Sequence, residues 1–174
     1  MPVTVIFLVI FGLLPLDRAS NARGAGPAKD VRWRTFVNRA GWRISYPPRW
    51  QIGSCRQCSD PTDPDVFVTI FEPSTKTMVM IEHLIDKPVE EDVEPWLKEV
   101  SRDTILSPLI SEEWIVLDHK KALKVINGNL DSTKSENIYV LYGPKTFAIR
   151  TDRNTLSYAT YQRMLSTFKF VVSK

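Results

Sequence analysis

The sequence predicts an α+β fold: an antiparallel β-sheet covered by helices, in an α/β/α sandwich. Three observations lead there. Period-two alternation dominates from Val31 to Val172. The alternating runs are short and are joined by hairpin-type turns. Only two segments carry apolar residues at helical spacing. Short neighbouring strands with tight turns pair antiparallel, and a sheet with an apolar face must be covered by other elements.

The elements follow in order. Trp33–Val37 reads as a short strand, Asn38–Gly41 as a turn, and Trp42–Tyr46 as a second strand with Trp42, Ile44 and Tyr46 on one face. Pro47 and Pro48 stop it, and Trp50–Ile52 is expected to resume it. Val66–Phe71 and Thr77–Ile85 flank a hairpin turn at residues 72–76. Asp92 is placed to cap a helix running to about Arg102. Its stripe is Val93, Trp96, Leu97 and Val100, and Pro95 sits in the first turn, where a missing N–H costs nothing. Glu90, Glu91, Asp92 and Glu94 gather at the positive end of that helix dipole. Further strands are expected at 113–118, 122–127, 136–142 and 146–151, with Gly143-Pro144-Lys145 joining the last two. A second helix over about 155–166 carries Tyr158, Tyr161, Met164 and Leu165, and 168–172 closes the chain as a strand.

Three segments divide the 174 residues. Residues 1–22 read as a signal peptide: Val3–Leu16 is apolar apart from Thr4, too short to cross a bilayer as a helix, and Ser20 and Ala22 are small residues suited to cleavage. No Lys or Arg precedes the apolar run; an uncleaved anchor or a mis-called start codon is the alternative. Residues 23–30 form a Gly- and Pro-bearing leader, and residues 31–174 form one domain. With 43% hydrophobic and 25% charged residues, that domain has the composition of a globular fold that needs neither metal nor disulfide for its core.

The two cysteines, Cys55 and Cys58, are separated by Arg56 and Gln57. Export favours the oxidised pair, so the first reading is a disulfide stapling a loop. A redox pair is the second: it would want its first thiol at a helix N-terminus, whereas Asp60, Pro61, Asp63 and Pro64 follow here. A Cys2His2 zinc site with His83 and His119 is the third, although nothing in the spacing brings those histidines to the thiols. Nucleophile elbow, Walker loop, dinucleotide fingerprint and zinc-protease motif are all missing from the sequence. The chain therefore reads as a non-enzymatic protein with no catalytic or metal-binding residue and no cofactor. Trp33, Trp42, Trp50, Trp96 and Trp114 fall on strand faces or helix stripes and are expected in the core.

The segments FVNRAGWRISYPPRW at 36–50 and YQRMLSTFKF at 161–170, with a hairpin and a mid-chain helix between them, resemble the PsbP-like family. That family is named for the extrinsic subunit P of photosystem II and shares its fold with a Ran-binding nuclear-import factor. The resemblance covers roughly residues 33–172. Trp50 and the Thr167–Phe168 terminus carry it best; these are packing residues, so they speak for fold. It implies an exported, lumenal-type accessory domain. The Cys55–Cys58 loop is not part of the family pattern.

Charge is arranged in blocks. Residues 23–58 carry a balance of +7, residues 59–118 of −11 and residues 119–174 of +7. Arg32, Arg34, Arg39, Arg43 and Arg49 lie in or beside the first two strands. If those strands share a sheet with Lys120, Lys121 and Lys124, one surface is basic and another acidic, which suits docking to a charged partner. The alternative is that the blocks pair with one another across strands. The expected function is an exported accessory domain docking to an envelope or membrane-associated protein complex, periplasmic or extracellular (thylakoid-lumenal in a photosynthetic host). Nucleic acid is not expected as a partner, and membrane contact is peripheral at most. Thiol redox or metal binding through Cys55 and Cys58 is the alternative function.

Overall fold

A computed structural model describes residues 32–53, 67–103, 107–128, 133–152 and 158–171. All of them fall within one compact unit, Val31–Lys174. The expected signal segment, the leader and the cysteine loop lie outside the described residues.

The chain begins with a hairpin, β1 (Arg34–Asn38) and β2 (Trp42–Tyr46). Gly41 closes its turn at φ 97°, a conformation that only glycine adopts cheaply, and its amide donates to the Asn38 carbonyl at 3.2 Å. Pro47 and Pro48 then end the strand as expected, but β3 (Gln51–Gly53) does not resume it. β3 pairs with β4 (Phe67–Phe71), in a different sheet. The two prolines mark a crossing between sheets: Pro has no N–H for a ladder, and the Trp50 amide instead donates to the Pro47 carbonyl at 3.0 Å.

The larger sheet is antiparallel and seven-stranded. To β3 and β4 it adds β5 (Met78–Asp86), β6 (Leu109–Leu117), β7 (Lys120–Gly128), β8 (Lys134–Tyr142) and β9 (Lys145–Asp152), in the order β3-β4-β5-β9-β8-β7-β6. A long connection between β5 and β6 holds α1 (Val93–Asp103), and α2 (Tyr158–Thr167) follows β9. The last strand, β10 (Lys169–Phe170), returns to β2, so β1, β2 and β10 form a separate three-stranded sheet. One sheet was expected and two are found. The expected closing strand at 168–172 is the two-residue β10 within the described chain, where Phe168 leaves the ladder to fill the core.

Alternation assigns the layers. Ile138, Val140, Phe147 and Ile149 project to one face of the large sheet. They meet Trp42, Ile44 and Tyr46 of the small sheet and Tyr161, Met164 and Leu165 of α2 there. Leu123, Val125, Tyr139 and Ala148 project to the other face and meet Trp96, Leu97 and Val100 of α1. Each helix therefore covers one face, as its stripe predicts. At about 25 cal/mol per Å² of apolar surface, burying one of these large side chains stabilises the fold by roughly 1.5–3 kcal/mol.

Candidate docking surfaces and buried polar sites

Thr167 and Phe168 explain why the end of α2 is so fixed. The Thr167 hydroxyl donates to the Met164 carbonyl at 2.7 Å and accepts from the Ser45 amide at 2.9 Å, tying the helix terminus to β2. Phe168, fully buried, stacks on Trp42 with ring centroids 5.9 Å apart. Trp50 is also buried in this core. The residues that carry the family resemblance are thus packing residues.

The turn between β6 and β7 anchors the other end of the small sheet. Asp118 and His119 both have positive φ, 46° and 62°, in the two-residue hairpin geometry that matches strand twist. The Asp118 carboxylate accepts from the Phe170 amide at 2.7 Å and pairs with Lys169 at 2.9 Å. Burial pushes this carboxyl up. The hydrogen bonds from Lys169 and Phe170, with the charges of Lys169 and His119, more than offset that and hold it below the ordinary aspartate value.

The two histidines of the expected zinc site are not brought together. His83 stands on β5 with its ring 5.6 Å from that of Phe147 and its Nε2 2.8 Å from an Asp86 oxygen. His119 is exposed in the β6–β7 turn, and three strands separate β5 from β6. Cys55 and Cys58 lie outside the described residues. Among the described residues, no group of three or more His, Cys, Asp or Glu is placed to hold a metal ion. Trp42, Trp50 and Trp96 are core residues as expected. Trp33 and Trp114 are half-buried under cations, Arg163 at 4.4 Å and Lys121 at 4.7 Å.

Two polar sites escape pattern reading. Glu136 is completely buried on the α2 face of β8, where the Tyr158 hydroxyl donates to it at 2.8 Å and the Gln162 amide at 3.4 Å. The signal was present: Glu136 has the parity of Ile138 and Val140, and Tyr158 and Gln162 are one helical turn apart. On the opposite face, Arg150 of β9 pairs with Glu82 of β5 at 2.5 Å, both half-buried. Burial raises the Glu82 carboxyl above its ordinary value, against the charge and hydrogen bond of Arg150.

The charge blocks resolve unevenly. The basic strands do not share a sheet: β1 and β2 belong to the small sheet and β7 to the large one. C-terminal cations instead meet central acids, in the pairs Lys121–Glu94, Lys124–Glu113, Arg150–Glu82 and Lys169–Asp118. Glu94, in the first turn of α1, is thereby both a helix-dipole partner and an ion-pair partner. The N-terminal arginines are different: Arg32, Arg34, Arg39, Arg43 and Arg49 are all exposed, and none makes an ion pair among the described residues.

One apolar groove, of about 420 Å³, runs between β5 and α1. Leu84, Ile85, Trp96 and Val100 line it, with the carboxylates of Glu99 and Asp103 at its rim. Ile85 is 53% exposed, and Val89, in the segment leading to α1, is 92% exposed. Val93, expected in the α1 stripe, is also exposed, because it opens the helix before the sheet is reached.

Comparison with known proteins now adds the fold. No family model matches the sequence, and no curated protein matches it. Among solved structures, the cyanobacterial PsbP (CyanoP) solution structure from Synechocystis sp. PCC 6803 is similar over 84% of this chain and 96% of that one, at 12% identity and a TM-score of 0.54. The fold is PsbP-like. A crystal structure from Bacteroides thetaiotaomicron is similar over 79% of this chain and 48% of that one, at 11% identity and a TM-score of 0.53. The PsbP-like arrangement supplies what the residues above share: two faces of one large sheet, one under α1 and one under α2 and the small sheet.

Proposed function

We propose that this protein is an exported, non-enzymatic accessory domain that docks to a membrane-associated protein complex through the groove between β5 and α1. The groove carries the reading. It places exposed Ile85 beside Trp96, Leu84 and Val100, the kind of apolar centre that protein interfaces desolvate, and exposed Val89 follows four residues later in the segment leading to α1. Glu99 and Asp103 at the rim favour a partner segment whose apolar residues are flanked by Lys or Arg. The PsbP-like fold supports an accessory role, and the apolar leader supports export. In that setting Cys55 and Cys58 serve as a loop staple, which predicts that alkylation of the exported chain requires prior reduction.

The test is photo-cross-linking in the native host from position 89, with position 163 on α2 as the control. A discrete adduct from position 89, absent from position 163 and lost in Ile85→Glu, is expected. Adducts common to both positions, or an adduct indifferent to Ile85→Glu, would overturn the groove as the docking site.

A further inference from the structure

A second surface lies on the far side of the molecule from that groove. β1 and β2 pack inward through Trp42, Ile44 and Tyr46, so Val37 and Arg43, paired in register, point outward. Arg39 sits in the hairpin turn and Arg49 in the turn beyond β2, whereas Arg34, in register with inward Tyr46, lays its guanidinium over that ring and is not part of this outer face. Residues 31–59 contain six arginines and no aspartate or glutamate. Lys121, Lys124 and Arg150 of the large sheet have acidic partners; Arg32, Arg34, Arg39, Arg43 and Arg49 have none among the described residues.

We infer that the outer surface of the three-stranded sheet docks onto an anionic lipid bilayer. Two observations favour lipid headgroups over an acidic protein. Specific protein interfaces need a desolvated apolar or aromatic centre, and the only large apolar side chain exposed on this hairpin is Val37, at 61%. A diffuse array of phosphates needs no such centre, and guanidinium groups match phosphate oxygens bidentately. The hairpin is also the first described element of the chain, and the apolar segment Val3–Leu16 that precedes it in sequence, read as an export signal, would direct the chain to a membrane whether it is cleaved or retained. Each basic residue held near an anionic surface contributes about 1 kcal/mol, an attraction that fades within a Debye length. This inference is independent of the groove: one surface faces lipid, the other a protein.

The experiment is co-sedimentation of the full chain with vesicles of phosphatidylcholine alone or with roughly one-third phosphatidylglycerol. Phosphatidylglycerol should increase binding, and the increase should disappear in high salt. The triple variant Arg39→Gln, Arg43→Gln, Arg49→Gln should lose on the order of 100-fold of that increase, about fivefold per arginine. Because the three side chains are exposed, its far-UV circular dichroism should match the parent. The control Lys98→Gln, Lys121→Gln, Lys124→Gln removes the same charge from ion-paired positions and should change binding by less than threefold. Equal binding to both vesicle types would overturn the inference, as would equal losses in the two triple variants. Capture by an acidic protein surface with no preference for phosphatidylglycerol would assign the sheet to a protein instead. Loss of the position 89 adduct with intact lipid binding would break only the groove reading.

Discussion

The two sheets of this protein treat charge in opposite ways. In the seven-stranded sheet, cations and acids from distant parts of the chain meet, as in Arg150–Glu82 and Lys124–Glu113. In the β1–β2 hairpin of the three-stranded sheet, exposed arginines stand with no acid in their stretch of sequence, and only Lys169 of β10 meets one, Asp118. The net charge of +3 conceals this division. The first sheet spends its charges internally, where each exposed pair is worth little, whereas the second leaves a positive field directed at solvent. The small sheet is nonetheless anchored firmly: Trp42 and Phe168 hold its inner face, and Asp118 holds β10. A rigid mount with unspent charge is what a docking surface needs.

That contrast breaks most easily at the anchor. Trp42→Ala should cost about 3–5 kcal/mol in urea unfolding, because a fully buried ring shared by both sheets is lost. A loss below 1 kcal/mol would mean that the small sheet is a loose appendage. Arg150→Met should come next, at about 2 kcal/mol near neutral pH, because it strands the half-buried Glu82 carboxylate. The folded-state value of Glu82 is already raised, so its contribution is complete below the ordinary glutamate value and is lost as pH rises through the raised one. The Arg150→Met penalty should therefore shrink on acidification through that range; a pH-independent penalty would contradict the assignment.

Asp118→Asn should cost about 1 kcal/mol, since asparagine keeps one acceptor for the Phe170 amide but loses the Lys169 pair. Its pH dependence runs the other way. The folded-state value is depressed, so the stabilisation is present above the ordinary aspartate value and is lost as pH falls through the depressed one. The variant should flatten the acid limb of a stability–pH profile. Lys124→Ala should cost less than 1 kcal/mol, the scale of a solvent-accessible ion pair.

Much of this was legible in the sequence, for local reasons. The β1–β2 hairpin, α1 and the β8–β9 hairpin each announce themselves through alternation, a stripe or a glycine turn, and they stand within two residues of expectation. The partition into two sheets was not legible. Pro47 and Pro48 look the same whether a strand resumes or the chain crosses to another sheet, and only the pairing of Gln51 with Phe71 distinguishes the cases. β6 begins four residues earlier than expected because edge strands tolerate the exposed run Leu109–Glu113, which shows no buried alternation. The arginines were visible as a block, but that the described ones make no ion pair with another described residue was not, since an ion pair depends on which strands become neighbours. The groove was hidden for the same reason: Ile85 and Trp96 meet only once α1 crosses the sheet.

The most direct measurement places one environment-sensitive fluorophore at position 37 and, in a second sample, at position 89, and adds vesicles carrying a headgroup quencher and phosphatidylglycerol. Position 37 lies on the outer face of the small sheet, and position 89 lies in the segment between β5 and α1. Strong quenching at position 37 with position 89 still solvent-exposed is the predicted result. Equal quenching at both, or quenching at position 89 alone, would contradict a molecule that turns its arginine sheet to lipid and its groove to a protein.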